Sequence, residues 1–467
     1  MTDAVLVRAN EVLSALYSDD PEVQRALQVL GDAIKVGNIS GSTGVAVGRN
    51  IRQVVNNFPN LTTEQVALLL ELRSALMGLD AEKYKMAWIL EDKTKDFTGR
   101  EHVFQAIDSF LANHSSGYLI MEGEPGLGKS AILAEYVRRT NCIAHFNVRG
   151  QGIVRASQFL EHICAQLIAD RGLPYPALPT DATQDGAFLE KLLREAMKAQ
   201  PGEPLIIAVD ALDEADLEAQ GSCSNLLCLP PVLPEGVYFI MTKRPNGIDL
   251  VAQAPQVPLD LMNFPAENRN DVERYLGRCA ERPQVQTWIE RQKEPTTAAF
   301  VRDLADLSEN NFMYLRFVVP EIETGHYRDQ RIEELPFGLE NYYRDHWKRM
   351  GMQDKPLPKL KIRIVYILSE VRQPVSMRMI YDILVYNGFE VDPIEVQDVL
   401  TEWRQFLDQQ PASDGTRWSV YHASFRDFLN RQEIIQAAGV TIQGINELIA
   451  DYLWAGLFGD QGGVLAS

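Results

Sequence analysis

The stretch that most constrains this chain is Gly123-Glu124-Pro125-Gly126-Leu127-Gly128-Lys129-Ser130. An apolar run, Tyr118 to Met121, precedes it, and a helix-forming run, Ala131 to Arg138, follows. Strand, glycine loop and helix in that order form a P-loop, in which curled backbone presents N–H groups to phosphate oxygens. The helix N-terminus adds partial positive charge. The arrangement predicts a nucleoside triphosphate held by Gly123 through Ala131, with Lys129 on the β- and γ-phosphates and the Ser130 hydroxyl on Mg²⁺.

A second element, Leu205 to Glu214, reads as a buried strand ending at Asp210. Ligands collect at the C-terminal ends of parallel strands, so Asp210 is expected to hold Mg²⁺. Asp213 and Glu214 lie just beyond, placed to orient a water towards the γ-phosphate. A third strand, Val237 to Thr242, ends in Lys243-Arg244-Pro245, where Arg244 or Thr242 can sense the γ-phosphate.

Around these motifs, short apolar runs at 117–121, 142–148, 204–210 and 237–242 alternate with amphipathic stretches such as Ser157–Leu167 and Phe188–Met197. Alternation of this kind predicts a parallel sheet flanked by helices over residues 95–250, an α/β P-loop NTPase fold. From 251 to 335 strand signals vanish and helices dominate. Residues 336–430 read as further helices and then a hairpin: Phe406–Gln410, a turn at Ser413-Asp414-Gly415, and Trp418–Tyr421. Helices followed by a small hairpin predict a winged helix. Residues 431–467 read as a helical tail.

Residues 1–94 read as a separate, mainly helical module. Helical patterns at Val5–Ile34 and from Thr62 towards Leu76 flank a glycine-rich segment, Gly37 to Val55, that is poor in charge. That segment is a mobile loop or hairpin, or else a self-templating β-forming motif.

With 467 residues, 46% of them hydrophobic, the chain is long enough for about three folded domains. Its net charge of −19 argues against nucleic acid and anionic membranes as partners. The N-terminus lacks a signal-peptide pattern and no apolar run approaches a membrane span, so a cytoplasmic location is expected. The five cysteines are scattered and are expected to be reduced thiols.

Six motifs in order resemble those of NACHT-type signal-transduction ATPases, of the STAND class and similar to NLR proteins. Val209-Asp210-Ala211-Leu212-Asp213-Glu214 is the most specific. Thr242-Lys243-Arg244-Pro245 resembles the sensor strand, with Lys243 where serine is usual. Phe97-Thr98-Gly99-Arg100-Glu101 resembles the entry motif, which places Phe97 and Arg100 near the nucleotide base. Asn311-Phe312-Met313-Tyr314 and Leu335-Pro336-Phe337-Gly338 resemble helical-domain and winged-helix signatures. Tyr421-His422-Ala423-Ser424-Phe425-Arg426-Asp427-Phe428-Leu429 resembles the segment that closes the winged helix.

The resemblance implies a switch that binds ATP or ADP with Mg²⁺, hydrolyses slowly and forms a nucleotide-dependent homo-oligomer. It would signal through residues 1–94 to an effector the sequence does not name, in prokaryotic defence or cell death. It also implies that His422 contacts the β-phosphate of ADP; alternatively His422 packs at a strand end, satisfied by backbone. Arg100 has a similar alternative, a salt bridge at a helix start. STAND switches usually carry a sensor after the winged helix, whereas about 37 residues follow Asn430 here. A motor ATPase of the AAA+ kind is the main competing function, though no second sensor arginine is evident in the sequence. A winged-helix transcription regulator is another, weakened by a wing whose one basic residue is Arg417.

Overall fold

The structure, a computed structural model, describes residues 81–458 except 176, 177, 180, 217–222, 246–248 and 413–414, and leaves out the side chains of 81–86 and 456–458. The glycine-rich segment Gly37–Val55, its flanking helical patterns, the Ser413-Asp414 turn and the last nine residues lie outside the described residues.

Helices α1 (Ala81–Thr94) and α2 (Glu101–Asn113) lead into β1 (Gly117–Glu122), then α3 (Lys129–Thr140), β2 (Ile143–Phe146), α4 (Ala156–Asp170) and α5 (Ala187–Ala199). Strands β3 (Leu205–Asp210), β4 (Val237–Lys243) and β5 (Gln256–Asp260) complete a five-stranded sheet in the order β2-β3-β4-β1-β5, all parallel. The inner strands are near-continuous apolar runs because helices cover both faces. One face packs on Phe159, Ile163 and Leu193 of α4 and α5, the other on Ile107 of α2 and Ile132 of α3.

The fold class is thus an α/β P-loop arrangement. Its sheet extends past the boundary expected at 250. Strand β5 escapes recognition because it is five residues long and carries Pro258, which a strand tolerates at a sheet edge. Strand β4 sits between β1 and β3, which seats Thr242 beside Met121 of β1 and Arg244 beyond the strand's end.

Four helices follow: α6 (Pro265–Ala280), α7 (Pro283–Ile289), α8 (Thr297–Ser308) and α9 (Phe312–Glu323). Next come α10 (Gly338–Arg349), α11 (Lys359–Glu370), β6 (Val375–Ser376), α12 (Met377–Tyr386), α13 (Pro393–Glu402), β7 (Leu407–Ala412) and β8 (Gly415–Val420). The short sheet runs β6-β8-β7, antiparallel throughout. Helices α14 (Ala423–Leu429), α15 (Gln432–Ala438) and α16 (Ile442–Phe458) close the described chain. One apolar cluster runs from Val272 to Ile445 through both sets of helices, with Phe406 stacked on Phe425 at 4.5 Å between ring centroids. No described helix is long and apolar enough to cross a membrane.

The cysteine expectation needs correction. Cys142, Cys164 and Cys279 are free, but Cys223 and Cys228 form a disulfide with Cα atoms 5.1 Å apart. A tight turn brings them together: Leu227 and Cys228 both adopt positive φ, and the Asn225 amide donates to the Leu229 and Val251 carbonyls. Their spacing in the sequence alone carries no sign of this backbone reversal.

Candidate nucleotide site

The phosphate loop is held by its carbonyls, two of them bonded by its own lysine and three from outside. Lys129 Nζ donates to the Gly123 carbonyl at 2.5 Å and the Glu124 carbonyl at 3.1 Å. The Asn311 amide donates to the Pro125 carbonyl at 2.9 Å, and the Phe312 N–H to that of Gly126 at 2.9 Å. Arg100 donates to the Leu127 carbonyl at 2.7 Å. Gly126 adopts φ 89°, and a Cβ there would collide with the Asn311 side chain. Gly128, at φ 87°, starts α3, whose first N–H groups have no intrahelical partner. With five successive carbonyls anchored, the loop fits an anion, which is the donor set a nucleotide phosphate requires.

A cavity of about 160 Å³ opens at this loop. Pro125, Gly126, Gly128, Lys129, Ser130 and Ala131 line it, together with Asp213, Glu214, Thr242, Arg244 and His422. Gly123, Glu124 and Leu127 are not in its wall; Leu127 is buried in the core. A second cavity of about 630 Å³ adjoins it, walled by Phe97, Arg100, Tyr275, Phe312 and Pro320 among others. Arg100 is 2% exposed. Besides Leu127 it bonds Asn268, while its backbone N–H donates to Asp271 at 3.0 Å. It therefore braces the loop against α6 as well as lining the second cavity, which would be the base-side cavity of a bound nucleotide.

Asp210 is buried at the end of β3. Thr242 Oγ1 donates to Asp210 Oδ1 at 2.5 Å and accepts from the Ala211 N–H at 2.8 Å. Burial raises the Asp210 pKa, while hydrogen bonds from Thr242 and Ser130 and the charges of Lys93 and Lys129 oppose the rise. One hydroxyl and one carboxylate, Ser130 and Asp210, supply the hard oxygen donors that Mg²⁺ takes.

The two acidic residues after Asp210 differ in their surroundings. Asp213 commits both oxygens to Arg244: Oδ1 accepts the backbone N–H at 3.1 Å and Oδ2 pairs with Nε at 3.0 Å. Glu214 Oε2 accepts the Arg149 N–H at 2.7 Å, and burial raises its pKa, with Asp213 and Asp210 adding to the rise. Arg244 also reaches Asp427 of α14 at 2.5 Å. Lys243, the departure from the usual serine, is buried and pairs with Glu122 of β1 at 3.1 Å.

His422 is satisfied by backbone, as the packing alternative has it, and it faces the cavity at the loop. It caps α14, its Nδ1 accepting the Ser424 N–H at 3.2 Å, and it also lines the phosphate cavity. An Nδ1 that accepts from backbone leaves the ring proton on Nε2. Burial, with the charges of Lys93, Arg244, Lys129 and Arg316, lowers its pKa to about 3, so the ring is neutral near pH 7.

Sequence reasoning missed Lys93, Asn311, Arg316 and Asp427 as members of the site. Asn311 and Asp427 lay inside motifs whose spacing gave no contact. Lys93 and Arg316 sit on helices distant in sequence, and only the tertiary fold brings them to the loop.

Residues 96–239 match the AAA ATPase domain family. The chain carries an ATPase domain of the AAA and P-loop type. No curated protein matches the sequence. Similar solved structures include the Walker-type ATPase of Pyrococcus abyssi, with 12% identity, a TM-score of 0.30, and coverage of 72% of this chain and 96% of that one. Drosophila ORC bound to DNA aligns at 14% identity and a TM-score of 0.31, covering 77% of this chain and 99% of that one. The Thermotoga maritima RuvB Holliday junction branch migration motor aligns at 12% and 0.27, covering 73% and 99%. Superpositions this loose carry no functional argument.

Proposed function

We propose that the protein is a nucleotide-dependent molecular switch of the NACHT and STAND kind. ADP favours the closed form, ATP with Mg²⁺ favours an open form that self-associates, and slow hydrolysis resets it. One observation carries this reading: Arg244 is shared between Asp213 of the ATPase domain and Asp427 of α14, with His422 in the same cavity. A group that would meet the γ-phosphate is thereby committed to the segment that would have to move away. Ser130 and Asp210 would hold Mg²⁺, which would neutralise phosphate charge. Lys129 would meet the β- and γ-phosphates, and Glu214, with its raised pKa, is better placed than Asp213 to take a proton from water. Signalling would run through residues 1–94, in defence or regulated cell death.

Mass analysis tests the proposal, with ADP and then with a non-hydrolysable ATP analogue, for the wild type and Lys129→Ala. Assembly with the analogue, lost in the variant, is expected. A monomer under every condition with rapid steady-state turnover would overturn it in favour of a motor, the second reading, which the AAA family match favours.

A further inference from the structure

Two cations at the junction of the cavities have no part in the P-loop chemistry described above. Lys93, near the end of α1, and Arg316, on α9, line both the phosphate cavity and the base-side cavity. Gly128, Ala131 and Phe312 share that position. A nucleotide laid with its terminal phosphates at Lys129 and its base beside Phe97 passes its α-phosphate through this junction, next to the first turn of α3.

The charges at the junction do not balance. Lys93 Nζ lies 3.2 Å from Asp92 Oδ2, and Arg316 Nη2 donates to Asp92 Oδ1 at 2.9 Å. Tyr421 completes the cluster. Its hydroxyl accepts from Lys93 at 3.2 Å and donates to Asp92 Oδ2 at 3.2 Å, while its ring lies 4.5 Å beneath the Arg316 guanidinium. Two cations thus share one carboxylate and one neutral phenol. Both remain part-exposed at the cavity, with 25% of the Lys93 side chain and 45% of Arg316 accessible. Both are also close enough to His422 to depress its pKa together with Lys129 and Arg244. An anion at the junction would supply the missing charge with charge-assisted hydrogen bonds.

We propose that Lys93 and Arg316 bind the α-phosphate of the nucleotide, loosening their hold on Asp92 and Tyr421 as they do so. The site rests on the nucleotide-binding part of the function proposed above, but not on assembly or turnover. It has a consequence for regulation. Lys93 and Asp92 belong to α1, which follows directly on the first 80 residues, and Tyr421 directly follows β8. The helix that leads in from the N-terminal segment would therefore be coupled to cavity occupancy.

Calorimetric titration of the full chain with ADP and with adenosine monophosphate tests this. Lys93→Met and Arg316→Met, which keep much of each apolar stem, should each weaken both ligands about tenfold. Lys93→Arg should restore most of the affinity. Asp92→Asn removes the competing carboxylate and should tighten both ligands. A knot with only a structural role predicts otherwise: melting temperatures would fall while all four variants kept ADP affinity within about twofold of wild type. That pattern, or weaker binding in Asp92→Asn, would overturn the proposal. Should a Met variant fail to fold, the opposite signs expected of Asp92→Asn and Lys93→Arg relative to structural loss still decide it. Failure to assemble with an ATP analogue, alongside the expected affinities, would overturn the switch and leave this site standing.

Discussion

In the proposed switch, the Arg244–Asp427 contact would bias the protein towards its closed form. Asp427→Asn keeps the side chain's size and one acceptor but removes the charge. Asp427 is 51% exposed and Arg244 21%, at a separation of 2.5 Å. Exposed pairs contribute about 0.2–1 kcal/mol, and the shielding of Arg244 places this one near the top, at about 1 kcal/mol. If the bond exists only in the closed form, the closed-to-open ratio falls about fivefold. Sedimentation velocity across a titration with non-hydrolysable ATP analogue should then show half-assembly at about one-fifth of the wild-type concentration. Raising salt towards 1 M, where the screening length shrinks to about 3 Å, should move wild type towards the variant and leave the variant nearly still. Thermal melting of the ADP form checks that the fold is intact. An unchanged midpoint, or a higher one, in a normally folded variant would refute the idea that this pair restrains opening.

Two further outcomes follow from the buried groups. Thr242→Val removes the hydroxyl bridging Asp210 Oδ1 and the Ala211 N–H, and should cost about 1–3 kcal/mol in chemical denaturation while weakening Mg²⁺-dependent nucleotide binding; wild-type values for both would discount the bridge. His145, His346 and His422 each have pKa values lowered by burial to about 3. Below about pH 6.5 the unfolded chain takes up protons that the folded chain refuses, so stability should fall as pH drops from 6.5 towards 3, by up to about 1.4 kcal/mol per pH unit for each histidine. Asp210 and Glu214, whose pKa values are raised, work in the opposite sense and offset part of this fall. Urea midpoints from pH 6.5 to 5 measure the net slope, and stability that rises as pH falls would contradict the burial of the three rings.

What the sequence made legible follows the physics of each signal. The P-loop, the strand ending at Asp210 and the helices of 265–402 announce themselves through local spacing, because apolar periodicity and glycine placement are local properties. Strand β5 does not, since it is a five-residue edge strand, paired only with β1 and interrupted by Pro258. The Cys223–Cys228 bridge depends on positive φ at Leu227 and Cys228, which neither residue type signals. The distinction between Asp213 and Glu214 is tertiary: one is claimed by Arg244 and the other by the Arg149 backbone, and no spacing encodes that. Lys93 and Arg316 carry no motif at all, and 223 positions separate them in the chain.

Three of the phosphate loop's five anchored carbonyls are held from far outside the loop. Pro125 and Gly126 are clasped by Asn311 and Phe312, and Leu127 by an arginine that itself leans on Asn268 and Asp271. The stretch that matches the AAA family ends at residue 239, well before those helices. Excised at that boundary, the domain would keep Lys129 and Arg100 but lose the clasps on Pro125 and Gly126 and the residues that brace Arg100, leaving the nucleotide to supply more of the ordering entropy on arrival. The recognisable module and the autonomous one are different lengths of chain, and preorganisation for the ligand belongs to the longer.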